Sequence, residues 1–146
     1  MAITSAICNS FKQEILEAEH NFTASSGNTF NLALYTSSAT INKSTTAYSA
    51  TNEITNTSGS AYSAKGNALT SVTPVLDSDT AVCDFANTSW TSASFTANGC
   101  LIFNDSHSSD AAVCTIAFGG DKTVTSGTFT IEFPAAAAST AIIQIA

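Results

Sequence analysis

The side chains able to do chemistry are few and widely spaced. His20 and His107 are the only histidines, and a serine nucleophile needs such a base within hydrogen-bond reach, oriented by a third group. Serine is abundant, yet no GxSxG elbow occurs, no GxxxxGK phosphate loop, and no GxGxxG after a strand. Both histidines therefore read as solvated polar residues at a helix end and in a loop. Among the acids, LDSD (Leu76 to Asp79) and NDSHSSD (Asn104 to Asp110) could offer oxygen ligands to calcium if Asp77, Asp79, Asp105 and Asp110 converged at one end of the fold. EF-hand spacing is absent, and hairpin turns select Asp, Asn and Ser in any case. The expectation is turns, with no metal and no cofactor. The cysteines Cys8, Cys83, Cys100 and Cys114 contain no CxxC pair. Three lie in strand-like runs (TAVCDF, NGCLIF, AAVCTIAF), where cysteine acts as a small buried hydrophobe. A disulfide is the alternative, and a zinc site is the weaker one because it needs close-spaced Cys/His pairs.

The chain that must position these residues has 146 residues, enough for one core. It is 44% hydrophobic but only 10% charged, against about 25% in an average soluble domain. Its polar surface must therefore be built mainly from Ser, Thr and Asn, residues that cover exposed strand faces in all-β proteins. With a net charge of -7, four lysines and no arginine, it offers little to phosphates, so direct nucleic-acid binding is not expected. Nor is attraction to an anionic membrane surface. No apolar run approaches the roughly 20 residues of a spanning helix. The segment MAITSAICNSFKQEILEAEH lacks a basic n-region, so export by a cleaved signal is not expected.

Residues 1–22 read as an N-terminal helix. Ile3, Ile7, Phe11 and Ile15 recur every four residues, giving one apolar stripe with Thr4 or Ser5 as N-cap. NFTASSGN, Asn21 to Asn28, then breaks it. Residues 23–146 read as a single β-domain, with strands expected at Phe30–Thr36, Ala68–Val75, Ala81–Phe85, Thr88–Thr96, Cys100–Asn104, Ala111–Phe118, Thr128–Phe133 and Ala141–Ile145. FGGDKTV, Phe118 to Val124, has the residues of a tight turn. The pattern predicts a mainly β fold, an antiparallel sandwich or jelly roll with one N-terminal α-helix. Residues 37–66 form a long Ser/Thr-rich loop whose apolar anchors are Tyr48, Ile54 and Tyr62. A loop this long is functional or ordered by contacts. It reads either as an arm reaching a neighbouring subunit or as a solvated loop.

The succession FKQEILEAEHNF, TFNLALYTSSATI, TAYSATNEI, GSAYSAKGNAL, WTSASFTANGCLIFND, FGGDKTVTSGTFTIEFP and AIIQIA resembles, over nearly the whole chain, small virion structural proteins of tailed bacteriophages, marine and cyanobacterial ones in particular. The strand cysteines depart from the Ala, Val or Ile usual in such phrases. The resemblance implies a non-enzymatic particle component, made in the host cytoplasm with reduced thiols and released by lysis. The leading expectation is a homo-oligomeric capsid decoration or cement protein bridging major capsid subunits, or contacting other virion proteins. Its contacts would come from Ile3, Ile7, Phe11 and Ile15, if the helix is an anchor, and from Tyr48, Ile54 and Tyr62. A tail tube, adaptor or fibre subunit is the alternative. A carbohydrate-binding or adhesive module, with Trp90 or the tyrosines stacking on a sugar, is a third reading from another class.

Overall fold

The computed structural model describes residues 2–146. In chain order its elements are β1 (Ala6–Ile7), α1 (Asn9–Leu16), β2 (Phe30–Tyr35), β3 (Asn67–Ala68), β4 (Ser71–Asp77), β5 (Thr80–Phe85), β6 (Thr88–Asn104), β7 (Ala111–Ile131) and β8 (Ile143–Ile145). They form two antiparallel sheets, one ordered β1-β7-β6-β2-β3 and a smaller one ordered β4-β5-β8. The fold is the expected mainly β, sandwich-like arrangement with one short helix near the N-terminus.

The β6–β7 hairpin is the spine. β2 pairs with its inner half, from Phe30 opposite Asn104 to Tyr35 opposite Gly99. FNLALY is buried at every position, because both of its faces are covered. On one side Phe30 stacks flat on Phe22 at 4.2 Å and reaches Phe85 of β5 at 6.0 Å, which joins the two sheets. Elsewhere along the strand, Leu34 receives a hydrogen bond from Ile54 N–H at 2.9 Å. Gly66 makes the close return to β2 possible. Its φ is +66°, and a Cβ there would collide with the Leu32 carbonyl oxygen.

Several sequence expectations change. The helix begins at Asn9, behind Cys8, which caps it without a side-chain bond. Neither Thr4 nor Ser5 is the N-cap. Ala6 and Ile7 instead pair with Thr115 and Cys114 of β7, and Ile3 bridges Ile41. The reason is a degeneracy of spacing. Residues four apart share a face in a helix and also in a strand, so the Ile3, Ile7, Phe11, Ile15 stripe remains one apolar line while the backbone changes from extended to helical at Cys8. The hydroxyl groups around it favour the strand: Thr115 Oγ1 donates to the Thr4 carbonyl at 2.7 Å, and Ala117 N–H donates to Ser5 Oγ at 2.9 Å.

The expected strands Thr88–Thr96 and Cys100–Asn104 are one strand, β6, and Ala111–Phe118 and Thr128–Phe133 merge into β7, ending at Ile131. FGGDKTV is accordingly no tight turn. Between the pairs Gly99↔Ala117 and Ala97↔Lys122 the β7 side carries the extra residues Phe118 to Asp121 as a bulge. Gly119 and Gly120 supply its positive φ values of 74° and 146°, and Asn98 ties it down through a 2.8 Å bond to Asp121. The expected Ala68–Val75 strand splits, with β3 in the large sheet and β4 in the small one.

Residues 37–66 contain no strand, as expected, but they fold back on their own domain. Ala47 bridges Ala111, and Tyr35 bridges Glu53. Ile54 and Tyr62 are core residues, and Tyr48 stacks on Phe103 at 4.8 Å.

Candidate functional site

Glu53 explains why the loop lies flat. It is only 7% exposed and accepts hydrogen bonds from the phenols of Tyr62, at 2.7 Å, and Tyr48, and from Lys65 N–H at 2.7 Å. The Tyr62 hydroxyl in turn accepts from Leu34 N–H at 2.9 Å. Burial, then the bond to Glu53, pushes the Tyr62 phenol up. The same causes raise Tyr48 to about 12. A buried carboxylate with three donors is a fastener between loop and sheet.

The acidic residues do not converge as calcium ligands. Asp105 and Asp110 do meet, but around the Lys65 ammonium, at 2.8 and 2.9 Å. Those two partners hold its charge well above the usual lysine range. Asp77 accepts from Ala138 N–H at 2.7 Å, and Asp79 sits beside Ser78 in the tight β4–β5 turn. Among the described residues no three His, Cys, Asp or Glu side chains are placed to hold a metal ion.

The histidines are more engaged than expected. His20 is buried, against the reading of a solvated helix-end residue. Its Nε2 lies 2.8 Å from Glu14 and its Nδ1 3.1 Å from Asn104 Nδ2. Asn28 Oδ1 accepts from Asn21 N–H, so Asn104 must donate to it from Nδ2. That fixes His20 Nδ1 as an acceptor and Nε2–H as the donor to Glu14. His107 stands between Ser109 Oγ, 2.9 Å from Nδ1, and Glu19, 3.5 Å from Nε2. The order serine, histidine, acid is that of a nucleophilic triad. The same Nδ1, however, also accepts from Ser109 N–H at 3.2 Å, so its lone pair closes a local turn.

All four cysteines are buried and unpaired with one another. Burial pushes Cys8 to about 11 and Cys83 and Cys100 to about 12, and it raises Cys114 as well. They are protonated, inert core residues.

The seven residues expected to make contacts divide. Phe11, Ile54 and Tyr62 are buried in the chain's own core, which corrects their reading as side chains offered to a neighbour. Ile3, Ile7, Ile15 and Tyr48 are partly buried against that core. Trp90, only 4% exposed, packs against Tyr62, Phe95 and Phe129 and offers no face to a sugar.

The large apolar side chains that stay exposed are Leu16 at the end of α1, 88% exposed, and a group on the small sheet. Leu76 is 74% exposed, Ile145 58% and Val75 53%, with Val72 also open. Val75 and Leu76 pair with Val82 and Ala81, and these line an apolar cleft of about 140 Å³ between the small sheet and α1. Phe11, Ile15 and Phe22 form one wall, and Pro74, Cys83, Ile143 and Ile145 complete the other. β4 and β8 are the outer strands of this sheet. Pro74 sits at an irregularity in β4, between the pairs at Val72 and Val75, which blunts that edge against strand addition. The sequence signal for this face was present in SVTPVLD, a strand whose apolar residues do not alternate and which carries a proline. Comparisons with protein-family models, with curated proteins and with solved structures found no match to this chain.

Proposed function

We propose that this chain is a non-enzymatic virion structural protein, a capsid decoration or cement protein that bridges major capsid subunits. The single observation carrying the proposal is that Leu76 of β4 and Ile145 of β8, each opposite Ala81 and so on the same face of the small sheet, stay exposed beside the α1 cleft. Each large aliphatic side chain moved from water into a contact contributes about 1.5–3 kcal/mol, and a free domain leaves Leu76, Val75 and Ile145 without that gain. The face carries few charges, so covering it desolvates few ions. Asp77 and Asp79 lie at its hairpin end, where a basic rim on the shell would complement them. Repetition over a symmetric shell multiplies a modest contact into resistance to expansion. The resemblance of the sequence phrases to virion proteins supplies the setting, and its assignment to the head in preference to the tail rests on small size, acidity and the exposed aliphatic side chains of the small sheet.

The experiment compares complete particles with particles lacking this protein during heating. Loss of DNA at lower temperature without it is expected. Equal heat stability removes the cementing role, and density for the chain confined to the tail in a particle map assigns it there instead.

A further inference from the structure

Residues 36–52 close on themselves. Thr36 N–H donates to the Asn52 carbonyl at 3.0 Å, and the Thr36 hydroxyl reaches the same oxygen at 3.2 Å. Four backbone bonds pin this loop from outside: Thr4 N–H to Ile41, Asn9 N–H to Lys43, Ala112 N–H to Thr46, and Tyr48 N–H to Asp110, at 2.8 to 3.1 Å. Inside it lies a pocket of about 320 Å³. Tyr35, Ile41 and Ala47 provide apolar surface within it, the tyrosine held by a 2.7 Å bond from its hydroxyl to the Ser49 carbonyl. The remaining lining is hydroxyl and amide only, from Ser38, Thr40, Thr45, Ser49, Thr51 and Asn52.

These polar groups keep free capacity. Thr45 Oγ1 accepts from Asn42 N–H and Ser49 Oγ from Thr51 N–H, so each hydroxyl proton is still to be donated. Asn52 uses its Nδ2 on the Ser38 carbonyl, and its Oδ1 accepts nothing among the described residues. Thr40 and Thr51 hydroxyls make no bond among the described residues either.

We propose that this pocket binds a neutral polyhydroxylated ligand about the size of one hexose. Every lining residue is uncharged, the Tyr35 phenol included, so a phosphate, carboxylate or amine would be desolvated without an opposite charge. A sugar presents an apolar C–H face and a hydroxyl edge, which match the mixed lining. The volume falls at the small end of ligand sites, about 300–1,000 Å³. The loop is already closed, so little ordering cost remains on binding. This site is separate from the apolar face and stands or falls without it.

The test titrates the full chain, labelled with ¹⁵N, with D-glucose, D-galactose, D-mannose and N-acetyl-D-glucosamine, each to about 50 mM, since single sugars of this kind bind at millimolar strength. At least one is expected to give saturable amide shifts confined to residues 36–52. Thr40→Val with Thr51→Val, both at exposed positions, should weaken that sugar about tenfold through lost hydrogen bonds. Ser38→Ala serves as a second variant, expected about threefold weaker, and Thr91→Val on the exposed side of β6 should change nothing. Amide dispersion outside the loop checks that each variant is folded. No saturable shift from any of the four sugars overturns the proposal. So does undiminished binding in both loop variants, or glucose 6-phosphate binding as tightly as glucose.

Discussion

At the scale of single residues, the Glu53 fastener makes a sharp prediction. Tyr62→Phe removes a hydroxyl that both donates to Glu53 and accepts from Leu34 N–H. It leaves two buried groups short of a partner, and a loss of about 2–3 kcal/mol in urea unfolding is expected. A value within about 0.5 kcal/mol of the parent would mean water replaces the phenol. The thiols give a pH prediction. Their folded values, from about 11 for Cys8 to about 12 for Cys83 and Cys100, lie above the ordinary 9.0. Above pH 9 the unfolded chain therefore releases protons that the folded chain retains. Stability is thus full below pH 9 and falls as pH rises toward 11 and 12. Unfolding free energy should drop by about 2 kcal/mol or more between pH 8.5 and 10.5. The same burial predicts that no cysteine reacts rapidly with a thiol reagent at pH 8 in the native state, while all four react in denaturant.

At the scale of elements, Gly66 is the test of how the long loop rejoins the sheet. Gly66→Ala combines a left-handed backbone with a collision against Leu32, so a cost of about 2 kcal/mol or more is expected in thermal unfolding, well beyond an ordinary loop substitution. The elements themselves were unevenly legible. β2 and β5 were clear from TFNLALY and TAVCDF because length, composition and bounding turns agreed. The β-class followed from the same signals. The start of α1 was obscured because four-residue spacing serves both periodicities. The Phe118 to Asp121 bulge looked like a turn because glycine and aspartate serve both, and only the pairing partner decides. His20 was misjudged because its burial arises from Asn104 and Phe11, which lie far away or across a turn. The exposure of Leu76 was missed because SVTPVLD signals an irregular strand with a proline, but how much of that strand a second layer covers is decided by tertiary packing.

At the scale of the whole molecule, the proposed docking face should be separable from folding. Leu76→Asp, at a position 74% exposed, is expected to change the stability of the free chain by no more than about 0.5 kcal/mol. It should nevertheless reduce incorporation into particles at least tenfold, measured by protein content of purified particles. Normal incorporation would show that another surface makes the contact. The β6–β7 hairpin has a different consequence. Its bulge separates two stretches of pairing, one shared with β2 and one belonging to the outer ribbon, and Gly119 and Gly120 lie on the solvent side with nothing within 4 Å of where a Cβ would stand. Extra residues spliced between those glycines would lengthen a protrusion without shifting either register, which makes this point a natural graft site for displaying a short epitope on the surface of the chain.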